Sequence, residues 1–108
     1  MSKNQSFELR NQIESDLLDQ LERNGTVGNH YKDLVCDYMS MWDTKNLLAD
    51  DIKKRGAVVN YESNNGTVNK RKNDSVGELV KVNLQMIKLL DAMGIKPAQA
   101  GDLEYDEM

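Results

Sequence analysis

The sequence predicts a mainly α-helical protein: an N-terminal helix, a long antiparallel helical hairpin with a short β-hairpin at its tip, and a disordered acidic C-terminal tail. Three observations carry this prediction. Apolar residues recur at helical spacing in three long segments. Between the second and third, the chain turns β-branched and polar around Asn65-Gly66, the strongest short hairpin signal. Residues 97–108 then carry four acids and no base.

Taken in order, the first segment runs from about Phe7 to Arg23, where Leu9, Ile13, Leu17 and Leu21 recur every four residues and draw one narrow apolar stripe. Asn24 and Gly25 supply its stop, and Gly28 keeps the link short. The second segment, about Asn29 to Arg55, gathers Tyr31, Leu34, Val35, Tyr38, Met41, Trp42, Leu48, Ala49 and Ile52 on one side, with Asp33, Asp37, Asp43 and Lys54 elsewhere. A helix of that length spans roughly 40 Å, and its apolar sector is wider than one short neighbouring helix covers. Gly56 ends it.

Val58, Val59 and Tyr61, then Thr67 and Val68, are good strand residues. Asn65-Gly66 between them suits a type I′ turn with positive φ at both central positions. Such a two-stranded hairpin is marginal alone and depends on packing. The third segment opens at Asn73, Asp74 and Ser75. Ser75 and Glu78 have capping-box spacing, and Asp74 suits the positive end of a helix. Val76, Leu79, Val80, Leu84, Met86, Ile87, Leu90 and Met93 form a second broad apolar face. Gly94 with Ile95 and Pro97 has the composition of a Schellman ending. Residues 1–97 are therefore expected as one helical domain and 98–108 as a flexible acidic tail.

Composition narrows the function. At 108 residues with 30% charged and 6% aromatic side chains, the chain is polar for a compact monomer, which suggests that other copies complete its core. A formal net charge of -4 argues no global attraction to nucleic acid or anionic membrane. Cys36 is alone among helical apolar residues, which reads as a small buried side chain in a reducing cytosol. No apolar run reaches the roughly 18 residues of a spanning helix and no signal-peptide core is present, so the reading is soluble, intracellular and without membrane contact.

The chemistry-bearing residues are sparse. His30, Asp33 and Asp37 share a helical spacing that could face a metal, but metal sites need a fuller ligand set, and a surface histidine beside ordinary acids is the plainer reading. Cys36 has no histidine placed to activate it. No phosphate-binding Gly-rich loop with its Lys is present, which excludes an ATPase, and no cofactor is called for. Met39, Met41 and Trp42 read as core or subunit contact. The stretch from Lys45 to Lys72 holds seven bases (Lys45, Lys53, Lys54, Arg55, Lys70, Arg71, Lys72) against Asp50, Asp51 and Glu62. This local +4 in a chain of -4 leaves -8 for the rest. On one copy such a run is ordinarily a solvated face; repeated around a ring it becomes a basic girdle whose phosphate contacts add through counterion release. Lys, Arg, Asn and Tyr61 suit backbone contact rather than base reading. No helix-turn-helix is evident, because the second helix is too long and too apolar for that role.

Two stretches, "YKDLVCDYMSMWDTKNLLADDIKKRG" and "KNDSVGELVKVNLQMIKLLDAMGIKP", joined by the polar hairpin and followed by an acidic end, resemble the small terminase subunit of tailed bacteriophages, in the short form found in phages and prophages of Gram-positive hosts. The resemblance covers roughly residues 8–97. It rests on Tyr38, Trp42 and Lys45, Gly56, Lys72-Asn73-Asp74-Ser75, Glu78-Leu79, Asn83 and Gly94-Ile95-Lys96-Pro97. It implies a non-enzymatic protein of the host bacterial cytoplasm that forms a homo-oligomeric ring, binds double-stranded viral DNA, and recruits and regulates the large terminase subunit, the ATPase and nuclease of genome packaging. The sequence departs from members that carry a recognisable N-terminal DNA-binding domain, so the resemblance does not place the DNA-contacting surface.

The residues themselves suggest that Lys53, Lys54, Arg55, Lys70, Arg71 and Lys72 contact phosphates. Tyr31, Leu34, Tyr38, Met41, Trp42, Leu79, Ile87 and Leu90 are expected to build the core within and between subunits. Asp102, Glu104, Asp106 and Glu107 form a tail suited to docking a partner. The alternative is a helical protein–protein scaffold without DNA binding; a small metal-dependent nuclease using His30 is the remaining rival.

Overall fold

The structure, a computed structural model, describes residues 3–26 and 28–96. The order is α1 (Lys3–Arg23), α2 (Asn29–Arg55), β1 (Val58–Glu62), β2 (Val68–Lys72) and α3 (Asp74–Ala92). Helix α1 begins four residues before the expected Phe7, because Lys3, Asn4, Gln5 and Ser6 are polar and leave no mark in an apolar period. The expected tail lies outside the described residues.

The second and third helices return on one another. Asn73, at the start of α3, contacts Gly56 at the end of α2. At the opposite end, Leu89 and Met93 of α3 and Ile95 beyond it cluster with Val35 and Met39 of α2 and Leu17 and Leu21 of α1. That end holds the hydrophobic core, with Ile13, Tyr31, Leu34, Tyr38, Met41, Trp42 and Leu90 partly buried against it. Arg10 of α1 grips Asp43 of α2 through two hydrogen bonds of 2.9 and 3.1 Å, and Gln20 donates to the Lys96 carbonyl. The molecule is 67 Å long against widths of 28 and 26 Å. Every buried hydrophobic residue among those described lies at Met39 and Met86 or on their α1 side, so toward the hairpin α2 and α3 pack only on each other and bury no side chain fully except Asn73.

Both expected glycine stops at the ends of α1 and α3 form. At the latter, the Gly94 N–H donates to the Asp91 carbonyl and the Ile95 N–H to the Leu90 carbonyl, both at 3.0 Å, with Gly94 at φ +69°. This is the paired 5→2 and 6→1 bonding of a Schellman motif.

Three local expectations are corrected. Cys36 is exposed, since the core side of α2 carries Val35 and Met39 and residue 36 lies about 100° round the helix. The cap of α3 is Asn73, whose Oδ1 accepts from the Ser75 N–H at 3.0 Å, so no Ser75–Glu78 box forms; Glu78 instead meets Lys81. The turn is not type I′ either. Only Gly66 has positive φ, at +83°, and Asn65 does not. The Gly66 N–H donates to the Ser63 carbonyl at 2.9 Å and the Ser63 N–H to the Thr67 carbonyl at 2.8 Å. A three-residue loop with one left-handed glycine satisfies the strand ends without forcing a side chain into that region.

Candidate nucleic-acid interface

The β-hairpin pairs antiparallel, Val58 with Lys72, Val59 with Arg71, Asn60 with Lys70, Tyr61 with Asn69 and Glu62 with Val68. Alternation of side chains sorts these into two faces. One carries Lys70 and Lys72 with Val58, Asn60, Glu62 and Val68; the other carries Arg71 and Tyr61 with Val59 and Asn69. On the second face, the Arg71 guanidinium sits 5.6 Å from the centre of the Tyr61 ring and donates to Asp74 at 2.8 Å. On the first, Val58 and Val68 are more than half exposed beside the two lysines.

The hairpin is locked to the helices by a polar node. Asn73 is the only buried polar residue among those described. Its Nδ2 donates to the Gly56 carbonyl at 2.9 Å and to Asp51 at 3.1 Å, while Oδ1 accepts from the Ser75 N–H and from Arg55. Asp51 also accepts from Arg55 Nε and Nη2, at 2.6 and 2.8 Å, and from the Ser75 hydroxyl at 2.7 Å. The Arg55 guanidinium first, then Ser75 and Asn73, hold the Asp51 carboxyl well below the usual aspartate range. One residue further out, the Asn73 N–H donates to the Ala57 carbonyl and extends the strand ladder to the node.

The six bases assigned to phosphate therefore divide. Arg55 belongs to the node, Arg71 pairs with Asp74, and Lys54 meets Asp50 at 3.3 Å in an i, i+4 pair. Lys53, Lys54 and Arg55 also occupy the last turn of α2, where cations favour the negative end of the helix dipole. Helix chemistry accounts for that cluster. It does not account for Lys70 and Lys72, which have no carboxylate within 4 Å among the described residues, nor does Lys53. Lysines on an edge strand also discourage strand-to-strand aggregation, which is the plain structural role open to them.

Of the expected core and interface residues, Tyr31, Leu34, Tyr38, Met41, Trp42 and Leu90 pack against the core, and Leu79 is half-buried. Ile87 is 56% exposed and takes no part in the core of the described residues. The His30 ring lies against Tyr31 at 4.3 Å between centroids, and no three His, Cys, Asp or Glu side chains among the described residues are grouped to hold a metal ion. No helix among them is long and apolar enough to cross a membrane. The sequence marks Ser75 as a cap and Asp51 only as one acid among the bases, and gives no sign that the two meet in the node. A Ser two residues after a helix-capping Asn is a usable signal, but the Asp is 22 residues away and carries none.

With this geometry in place, comparison with known families is decisive: residues 15–107 match the family described as phage terminase, small subunit. The chain belongs to that family. No curated protein and no solved structure matches it. The match spans α2, the hairpin and α3 entire, so the node and the lysine face both lie inside the family region, and membership gives this small subunit its role in phage genome packaging.

Proposed function

We propose that this terminase small subunit is a non-enzymatic adaptor that assembles with copies of itself into a ring, holds double-stranded viral DNA by its phosphates, and brings the large terminase subunit to that DNA in the host bacterial cytoplasm. The observation that carries the DNA part is the exposed hairpin face with Lys70 and Lys72, without an acid partner among the described residues, on a β-ribbon anchored by the polar node. Lys53 adds a free charge at the neighbouring helix end, and Lys54, Arg55 and Arg71 contribute to the local potential while bound to their acids. Contacts of this kind are to backbone and tolerate sequence. The self-assembly part is supported by a core confined to one end of a long molecule and by apolar side chains left bare on α3. Docking of the large subunit is assigned to Asp102, Glu104, Asp106 and Glu107 on sequence alone.

The pairing of Arg55, Arg71 and Lys54 with acids favours a second reading, a packaging scaffold that touches only protein. Replacing Lys70, Arg71 and Lys72 together with Ala separates the two. The adaptor reading predicts weakened retention of duplex DNA at low salt with assembly unchanged, whereas undiminished retention removes the hairpin from DNA binding.

A further inference from the structure

We infer that the bare face of α3 docks onto the outer face of α2 of a second copy, in a head-to-tail contact; this deepens the self-assembly reading above and rests on it. Val80, Leu84 and Ile87 stand at i, i+4 and i+7 on α3 and are 55%, 54% and 56% exposed. At about 100° per residue they form one stripe, turned away from Met86, Leu89 and Met93, which face the core. Lys81 and Lys88 fall within about 20° of each other along one flank of that stripe, both exposed.

The same chain carries a match. On α2, Asp43, Leu47 and Asp50 repeat the i, i+4, i+7 spacing. Leu47 is 72% exposed, the barest large hydrophobic residue among those described. The acids either side of it are seven residues apart, as are Lys81 and Lys88, a separation of about 10.5 Å on a helix. Leu47 lies between the acids as Leu84 lies between the bases. Both acids have partners in their own chain, Arg10 on Asp43 and Lys54 on Asp50, and their side chains nonetheless remain 47% and 59% exposed. An apolar centre flanked by opposite charges at equal spacing is the pattern by which paired helices choose partner and register.

Charge also selects the geometry. In an antiparallel pairing of two α3 stripes the same flanks meet, bringing Lys81 of one copy against Lys88 of the other. The two-fold contact is therefore penalised, whereas the α3-to-α2 contact sets the same lysines against Asp43 and Asp50. A contact between two different patches is heterologous and propagates from copy to copy, closing into a ring or running on as a filament according to its rotation. It also supplies a third layer to the hairpin-side half of the molecule.

The test uses two variants of the full chain, Leu84→Glu on the stripe and Leu47→Lys on the acidic patch, measured by sedimentation and light scattering with circular dichroism to follow helix content. Wild type is expected to assemble. Each variant alone should weaken assembly by about a hundredfold or more. An equimolar mixture should associate again, because one variant brings an intact stripe and the other an intact patch. Should Leu84→Glu lose helix content, Lys81→Glu with Lys88→Glu makes the same test on exposed side chains. Variants that keep wild-type mass, or a mixture that stays dissociated, overturn this contact while self-assembly stands. A wild type that is monomeric at every concentration overturns both.

Discussion

Asn73 and Asp51 together fix where the hairpin leaves the helices. Asn73 uses both ends of its amide, capping α3 with its oxygen and closing the Gly56 carbonyl with its nitrogen. Asn73→Ala removes the cap and strands buried polar groups. It should cost about 2–4 kcal/mol and lower the thermal midpoint by about 10 °C or more, read by circular dichroism. Asp51 gives the node a pH dependence whose sign follows from its partners. Its carboxyl is held below the ordinary range in the folded protein, so the stabilisation is complete above the unfolded value of about 4 and is lost as pH falls below it. Wild type should therefore lose stability more steeply than Asp51→Asn between about pH 4 and pH 2, measured as unfolding midpoint against pH. Equal slopes would mean the ion pair contributes nothing in solution.

At the level of elements, the hairpin depends on one residue in the left-handed region. Gly66→Ala should destabilise the turn by about 1–2 kcal/mol and weaken the cross-strand contacts of Tyr61 with Asn69 in NMR spectra, with α1 unaffected. Helix α1 is held by Leu17 and Leu21, which are 7% and 4% exposed. Leu21→Ala should cost about 2–4 kcal/mol in denaturant unfolding, where loss of the exposed Phe7 should cost little. Which elements form, and their order, was legible in the sequence because period and punctuation are local signals: α2 has the expected bounds, and Asn65-Gly66 does reverse the chain. Contacts were not legible. Arg10 meets Asp43 across 33 positions and Asp51 meets Ser75 across 24, and no spacing rule links them. The candidate site was legible only as a run of bases. Spacing could not show that Arg55 and Arg71 are engaged by acids while Lys70 and Lys72 have no acid partner among the described residues, because that depends on strand register and on the close of α2.

In the whole molecule, the core lies at one end of a long chain and the basic ribbon beyond the other. Repeated in the proposed ring, the bare helix faces would meet between copies and the lysines would form a girdle of positive charge. Membership of the phage terminase small subunit family supplies the process, and the lysine face of the hairpin is the surface proposed to hold DNA. The most direct measurement is duplex-DNA affinity as a function of salt, for wild type and for Lys70→Ala with Lys72→Ala. Each phosphate contact contributes about 0.9 to the slope of log affinity against log salt. The double variant should bind more weakly with a shallower slope, by about two for each engaged copy, at unchanged assembly mass. Equal affinity and equal slope in the two proteins would contradict the account.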